Sequence, residues 1–242
     1  MTEPPRAGGS RALARALPLL ILVAGLAAFF ALGLHRYISF ATLAQHRQTL
    51  LAWVAEYGVL AGLAFMAIYA AVVAFSLPGG ALLTLTSGFL FGVVGGTLCA
   101  VVGATIGATA VFVAARTALG NLLRAKAGGA IRRMEEGFRE DALSYLLVLR
   151  LVPLFPFWLV NLVPAFLGVP LRTYVLGTLF GIIPGALVYA SVGNGLGAVF
   201  DAGGTPDLGI IFRPAILLPI VGLAVLALIP VVYKRWRARR PR

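Results

Sequence analysis

Residues 57–115 read YGVLAGLAFMAIYAAVVAFSLPGGALLTLTSGFLFGVVGGTLCAVVGATIGATAVFVAA and contain no Asp, Glu, Lys or Arg. One helix needs about 20 apolar residues to cross a bilayer, so this run of 59 residues would leave a large apolar remainder after two plain spans. Pro and Gly interrupt it at 77–80 and again at 92–96. These breaks predict a helical hairpin with its tip at 77–80, followed by one crossing helix. The two arms and the crossing helix are expected at 59–76, 81–91 and 97–115.

The composition of the chain places it in a membrane. Of its 242 residues, 60% are hydrophobic and 12% are charged, whereas a soluble domain has about 25% charged residues. Lipid cannot satisfy a bare backbone N–H or C=O, so the spanning segments must be helices or a closed barrel. The apolar runs are long and continuous and lack the short alternating pattern of barrel strands. The sequence therefore predicts an all-α, polytopic transmembrane protein.

The formal net charge of +12 comes from twenty Lys and Arg against eight Asp and Glu. The basic residues stand mostly at the ends of apolar runs, which indicates membrane anchoring and not nucleic-acid binding. Cys99 is the single cysteine, and the two histidines, His35 and His46, lack a third ligand nearby in sequence. No P-loop, dinucleotide-binding or metalloprotease motif is present. We therefore expect no metal, no cofactor and no enzymatic activity.

Charge and glycine positions divide the rest of the chain. The first apolar run is longer than the apolar core of a cleaved signal peptide, so we interpret it as a retained span. A core of residues 37–193 is expected to hold hairpins near 59–91 and 142–167 and crossing helices near 97–116 and 171–192. The remaining segments are expected to be a basic cytoplasmic tail, a first span, an external loop, a last span and a second basic tail, at 1–15, 16–36, 194–213, 214–233 and 234–242.

The two hairpins look like copies of one unit. In each copy an amphipathic segment precedes a proline-tipped hairpin, a glycine break and a span. The tip and the break are Pro78 and Gly92 in the first copy and Pro153 and Gly168 in the second. If both hairpins are re-entrant, the basic residues of 119–141 and of both tails fall on the cytoplasmic side. The two units then face opposite ways, as in inverted-repeat transporters, and we expect the protein in a bacterial cytoplasmic (inner) membrane.

Several motifs carry a resemblance to a known family. They are LPGG at 77–80, SGFLFG at 87–92, LRLVPLFPF at 149–157, Asn161 and GTLFGIIPG at 177–185. Together they resemble the DedA superfamily, and within it the VTT-domain branch, also called SNARE-associated Golgi protein. The resemblance covers roughly residues 59–193. It implies two facing re-entrant hairpins, and an activity such as lipid scrambling, undecaprenyl phosphate flipping or proton-motive-force homeostasis.

The chain departs from many bacterial members of that superfamily at two places. Gly80 stands where they have an acidic residue after the first tip, and Pro156 stands where they carry a second arginine. The first hairpin holds no carboxylate within the membrane. These departures argue against proton coupling through carboxylates and favour the VTT branch.

Arg150 is the strongest candidate for a functional residue. It lies beside the second tip, where a charge in the bilayer costs several kcal/mol unless it is paired or wetted, and no Asp or Glu is close in sequence. A guanidinium can hold a phosphate through two parallel hydrogen bonds. A structural arginine that binds the other hairpin's carbonyls is the alternative. The other candidates for a midplane binding groove are Pro78, Gly79, Gly80, Pro153, Pro156, Trp158 and Asn161, with Arg116 and Arg172 as secondary candidates.

The sequence thus predicts a transporter that moves phospholipid or polyprenyl phosphate without ATP hydrolysis. Its partners would be membrane lipids, an anionic headgroup among them, and a homo-oligomer is compatible with the sequence. Two alternatives stay open. One is a secondary transporter of a small anion or ion on the same inverted repeat, and the other is a membrane scaffold protein.

Overall fold

The computed structural model describes residues 8–33, 36, 39–126, 141–204 and 206–238. Regular structure in these residues is entirely helical, which confirms the all-α class. A short 3-10 helix, Leu208–Phe212, lies among the α-helices. The α-helices, numbered in chain order, are α1 Gly8–Ala31, α2 Phe40–Gln45, α3 Arg47–Tyr57, α4 Val59–Ala74, α5 Gly80–Lys126, α6 over 141–151, α7 Phe157–Phe166, α8 Leu171–Asn194, α9 Leu196–Asp201 and α10 Pro214–Ala238.

Three helical segments in the described part of the chain are long and apolar enough to cross a bilayer: Gly80–Ala118, Leu171–Asn194 and Pro214–Tyr233. Two shorter apolar helical segments accompany them, Leu17–Ala31 and Val59–Ala74. The chain is therefore a membrane protein with several apolar helices, as its composition predicts.

Gly92 turns α5 back on itself. Its φ of 72° and ψ of −178° lie outside the helical region, in a region that is essentially restricted to glycine. Gly96 consequently packs on the backbone of the preceding arm, where a Cβ would meet the Ser87 carbonyl oxygen at 2.5 Å. Helix α5 thus comprises a short arm, 80–91, and a long arm, 93–126. We call α4 and the short arm the first hairpin, and residues 75–79 between them the first tip.

The long arm of α5 packs parallel to α4. Gly103 faces Met66 and Tyr69, and Gly107 faces Ala70 and Val73, so both sequence numbers rise together. Glycine at these two positions lets the helix backbones approach closely, as small residues do in membrane helix pairs. The first hairpin and the long arm of α5 form the first unit.

The second unit repeats this arrangement. Helices α6 and α7 form the second hairpin, with residues 152–156 as the second tip, and Gly168 (φ 71°) ends it before α8 begins. Helix α8 is parallel to α6, because Gly177 faces Leu143 and Leu146 while Gly181 faces Leu147 and Arg150. Each unit is therefore a helical hairpin followed, after a glycine with positive φ, by a long helix.

The long helices of the two units run in opposite directions. The Tyr174 ring stacks on Phe112 at 4.2 Å between centroids, while Arg116, one turn further along α5, donates to the Val169 carbonyl oxygen before α8 begins. Tyr174, Phe112, Val73 and Leu146 belong to one buried cluster shared by both units. The apolar core is therefore the interface between two oppositely directed copies.

Two segments outside the predicted spans also contain helix. Residues 194–213 hold α9 and the 3-10 helix, whereas the sequence favours an external loop there. Helix α9 ends at Asp201, whose carboxylate pairs with Arg47 of α3 at 2.7 Å. The expected amphipathic segment 119–141 continues α5 to Lys126, and residues 127–140 lie outside the described part of the chain, as do both predicted basic tails apart from their helical ends.

Hydroxyl groups within the long helices are satisfied locally. The hydroxyls of Thr97, Thr105, Thr109 and Ser191 each donate to the carbonyl oxygen four residues earlier, at 2.7 Å. Such bonds remove the need for water at these positions, which suits helices whose surroundings cannot hydrogen-bond.

Candidate functional site

Arg150 lies in the last turn of α6, against Gly181 of α8. A Cβ on Gly181 would meet the Arg150 Cβ at 2.6 Å, so the glycine is what lets the arginine stem lie against the helix. The guanidinium Nη2 donates to the Tyr174 hydroxyl and to Thr178 Oγ1, both at 2.9 Å. These two acceptors stand one helical turn apart on α8, which places them on one face of the helix.

Tyr174 connects Arg150 to Asn161 of α7. The tyrosine hydroxyl accepts from Arg150 and donates to Asn161 Oδ1 at 3.1 Å, with the Ala108 carbonyl oxygen also near at 3.3 Å. Tyr174, Thr178 and Asn161 are all fully buried. The guanidinium also lies 5.5 Å from the centroid of the Tyr174 ring, a cation–π distance. The four residues form a polar cluster inside the apolar core.

This cluster is neutral apart from the arginine. Within the described residues the ion pairs are Arg47 with Asp201 and Arg213 with Asp207, and neither involves Arg150. Two buried donors in the described part of the protein, Arg150 Nε and Asn161 Nδ2, have no hydrogen-bond partner. Such groups cost free energy when buried. The cluster therefore carries unused hydrogen-bond donors, and its positive charge favours an anion nearby.

A cavity of about 350 Å³ adjoins Arg150, and we call it the Arg150 cavity. The first tip and the start of the short arm also line it, through Leu77, Pro78, Gly79 and Gly80. Both units thus contribute to one cavity: the second supplies the charge, and the first supplies a tip. Helix α5 begins at Gly80, so the positive end of its dipole also lies at this cavity.

The remaining walls of the Arg150 cavity are apolar, or carry polar groups that already hydrogen-bond within the protein. Apolar side chains come from Val73, Ala100, Ala104, Ile182 and Ala186. The Tyr69 hydroxyl and Thr84 Oγ1 are 2.9 Å apart, and Thr84 donates to the Gly80 carbonyl oxygen at 2.8 Å. The cavity therefore has one charged lining residue, Arg150, among walls that are otherwise hydrocarbon or already hydrogen-bonded.

The other residues predicted to line a groove are placed differently. Asn161 supports Arg150 through Tyr174 and is not itself a lining residue of the cavity. Pro153 is half-buried and Pro156, which caps α7, is exposed, and neither lines the cavity. The Trp158 side chain lies outside the described part of the structure. Pro78 precedes α5, and Pro153 and Pro156 precede α7.

The secondary candidates lie away from the Arg150 cavity. Arg116 is exposed, donates to the Val169 carbonyl oxygen at 3.1 Å and lies 5.9 Å from the Phe112 ring centroid. It thereby ties the end of the first unit to the start of α8. Arg172 is exposed at the beginning of α8.

Tyr174 and Thr178 are the residues that inspection of the sequence missed. They are polar residues four apart in an apolar helix, each three residues before a packing glycine, Gly177 or Gly181. That spacing puts both on the packed face of α8, and it could have identified them as partners for the intramembrane arginine.

The fold and the site define a helical membrane protein whose core is two oppositely directed hairpin units around a partly buried arginine. The family model of the VTT domain matches residues 77–195, from the first tip to the end of α8. Residues 77–195 therefore form a VTT domain, the branch of the DedA superfamily that the motifs resemble.

Curated relatives match about two fifths of the chain. Transmembrane protein 41B of Homo sapiens is 30% identical over 100 residues, which are 41% of this chain and 32% of the relative. The transmembrane protein 41 homolog of Caenorhabditis elegans is 29% identical over 97 residues, 40% of this chain and 37% of the relative. The match thus spans about a third of the length of these relatives. No solved structure matches the chain.

Proposed function

We propose that this protein moves lipids across a membrane without ATP hydrolysis, as a transporter and not as an enzyme. The observation that supports this most directly is Arg150, a partly buried cation on a cavity that both units line. Among the described residues its guanidinium hydrogen-bonds only to neutral groups. A phosphate of a phospholipid or a polyprenyl phosphate would supply the missing negative charge. Its oxygens would accept hydrogen bonds from the guanidinium, which suits phosphate geometry.

The cavity walls favour a lipid over a small free anion. A free anion held by Arg150 would turn its other oxygens towards Val73, Ala100 and Ala104, where they would lose hydration without new hydrogen bonds. A lipid instead presents one anionic end and one hydrocarbon end, and these match the two kinds of wall.

We further propose that both hairpins turn back within the bilayer. Helix α7 has ten residues and is about 15 Å long at 1.5 Å per residue, half of the roughly 30 Å hydrocarbon thickness. Helix α4, with 16 residues, reaches about 24 Å. Hairpins of such lengths would place the Arg150 cavity within the hydrocarbon layer. They would also shorten the hydrocarbon path that a headgroup must cross between the leaflets.

The proposed location is a bacterial cytoplasmic membrane with both termini in the cytoplasm. With re-entrant hairpins, the basic segment after α5 and the basic residues at both ends share one side, which agrees with the excess of Lys and Arg in cytoplasmic segments. The long helices α5 and α8 then cross in opposite directions, as their packing contacts require.

Reconstitution tests the proposal. Purified protein would be placed in liposomes that carry a fluorescent phospholipid, and the fraction of probe reachable by a membrane-impermeant quencher would be followed. Wild type and Arg213→Ala, which removes an exposed arginine, are expected to expose probe from both leaflets, and Arg150→Ala is expected to be slow. Wild-type protein that never redistributes lipid, under any ion gradient, would contradict the proposal.

The same liposomes separate the alternatives. Uptake of a labelled small anion that depends on a pH or sodium gradient, without lipid redistribution, would indicate a secondary transporter. No transport, tolerance of Arg150→Ala and co-purification of a stable partner would indicate a scaffold.

A further inference from the structure

Helices α2 and α3 lie over the short arm of α5 and leave a second cavity of about 450 Å³ between them. We call this cavity the α3 groove, and we call the helix pair α2 and α3 the cover. Apolar side chains from both sides line the groove, Leu50 and Trp53 from the cover and Leu82 and Leu83 from the short arm. The Arg47–Asp201 ion pair, 2.7 Å long, holds the cover to α9.

Most polar groups of the α3 groove are already bonded within the protein. Thr86 Oγ1 donates to the Leu82 carbonyl oxygen at 2.8 Å, and the hydroxyls of Ser39 and Thr42 lie 2.9 Å apart. His46 Nδ1 donates to the Thr42 carbonyl oxygen at 3.0 Å. Because these groups do not need water, the groove offers mainly hydrocarbon surface, and an apolar occupant costs it no hydrogen bond.

A third cavity lies at the first tip and shares lining residues with both the α3 groove and the Arg150 cavity. It has a volume of about 430 Å³ and shares the lining residues Pro78, Gly79 and Ala81 with the Arg150 cavity. It shares Ser39 and Leu82 with the α3 groove. The short arm rises about 9 Å from Gly80 to Thr86. The Arg150 cavity, at Gly80, and the α3 groove, at Thr86, are therefore neighbours along the short arm.

We infer that the α3 groove holds one hydrocarbon chain of the lipid whose phosphate lies at Arg150. This assignment rests on the proposed function and extends it from the headgroup to the chain. The phosphate would sit opposite the first tip, and the chain would pass over Pro78 and Gly79 and lie along Leu82 and Thr86 beneath the cover. The first tip and short arm would then contact both the phosphate end and one chain of the lipid.

Photo-cross-linking tests the assignment. Full-length protein would be reconstituted in vesicles of phosphatidylethanolamine and phosphatidylglycerol, with a phosphatidylglycerol that carries a diazirine at the end of one acyl chain. Adducts would be mapped by peptide mass spectrometry. The groove peptides, around Trp53 and Leu82, are compared with the surface around Val94 and Leu98, whose side chains are 81% and 61% exposed.

In wild type, adducts are expected to be several-fold enriched in the α3 groove over the Val94 surface. Arg150→Gln is expected to lower the groove adducts several-fold and leave the Val94 surface unchanged. Thr86→Trp, which fills the groove and keeps Arg150, should remove the groove adducts even if Arg150→Gln fails to fold. Val94→Trp is the matched control and should change nothing.

Three outcomes would overturn the assignment: absence of groove adducts, groove adducts no denser than at Val94, and groove adducts that Arg150→Gln leaves unchanged in folded protein. Absence of groove adducts would fit a groove covered by another protein copy. The other two outcomes would indicate ordinary contact with bulk lipid. Failure of the proposed function is seen separately. Arg150-dependent groove adducts without lipid redistribution would leave the lipid site standing and remove the transport activity.

Discussion

Arg150 occupies in the second unit the place that Val73 occupies in the first. Val73 packs on Gly107 of α5, and Arg150 packs on Gly181 of α8 in the same way. The residues three and seven positions before these glycines are alanines in α5 and the hydrogen-bonding pair Thr178 and Tyr174 in α8. One copy of the repeat therefore carries a cation and its hydrogen-bond partners, and the other lines the same cavity with the apolar residues Val73, Ala100 and Ala104.

Replacing Arg150 by lysine should slow lipid movement even though the charge is kept. An ammonium is a single point charge, and it cannot bond Tyr174 and Thr178 while also offering a planar pair of donors to phosphate. If the substitution raises the free-energy barrier to lipid movement by about 1.4 kcal/mol, the rate falls about tenfold. The quencher assay in liposomes measures this rate, and Arg213→Lys is the matched control. A rate equal to wild type would show that guanidinium geometry is not used.

Tyr174→Phe should destabilise the protein and loosen Arg150. The change leaves Asn161 Oδ1 without its hydroxyl donor and takes one acceptor from Arg150, and an unsatisfied buried polar group costs about 1–3 kcal/mol. The thermal unfolding midpoint in detergent should fall. Tyr57→Phe, at a tyrosine that is 52% exposed, should leave the midpoint nearly unchanged. Equal midpoints for the two variants would contradict the role of the Tyr174 hydroxyl.

Gly193→Ala should disrupt the crossing of α8 with the short arm of α5. A Cβ at Gly193 would run into the Leu85 carbonyl oxygen, and a Cβ at Gly88 would run into that of Ala190. Forcing extra atoms into a packed interface costs about 1–3 kcal/mol, so unfolding in detergent should occur at lower temperature. The control is Gly222→Ala in α10, where a Cβ meets no atom within 4 Å. A Gly193→Ala variant as stable as that control would argue against the close crossing.

Gly92→Ala should destabilise the reversal between the two arms of α5. The backbone there has φ 72° and ψ −178°, and a side chain in that region costs about 1–3 kcal/mol. Gly62→Ala is the comparison, because the nearest atom to its new Cβ is the Cys99 sulfur at an ordinary 3.8 Å. Chemical unfolding of the purified variants measures the difference. If both tolerate alanine equally, the reversal at Gly92 does not hold in solution.

Much of the architecture follows from local features of the chain. The break at 92–96 coincides with Gly92, whose positive φ reverses α5, and the break near Gly168 has the matching φ of 71°. The long charge-free run already excludes a soluble fold. Glycine and proline act on the backbone at their own positions, so their effects can be predicted without knowledge of tertiary contacts.

The partners of Arg150 could not be predicted in the same way. Asn161 is a near neighbour in sequence, yet it reaches Arg150 only through Tyr174 of another helix. Arg150 and the first tip line one cavity although they lie about seventy positions apart in the sequence. Their meeting depends on how the two units pack together.

The sequence by itself determined a helical membrane protein, its two glycine-ended hairpins and one arginine at the second tip, because hydropathy, charge and backbone freedom are properties of the residues themselves. The tertiary structure alone decided that the first tip, and not the second, lines the cavity with Arg150. It also decided that Tyr174 and Thr178 hold the guanidinium. Close packing at Gly107 and Gly181 fixes the positions of α5 against α4 and of α8 against α6. Those positions determine which side chains come into contact.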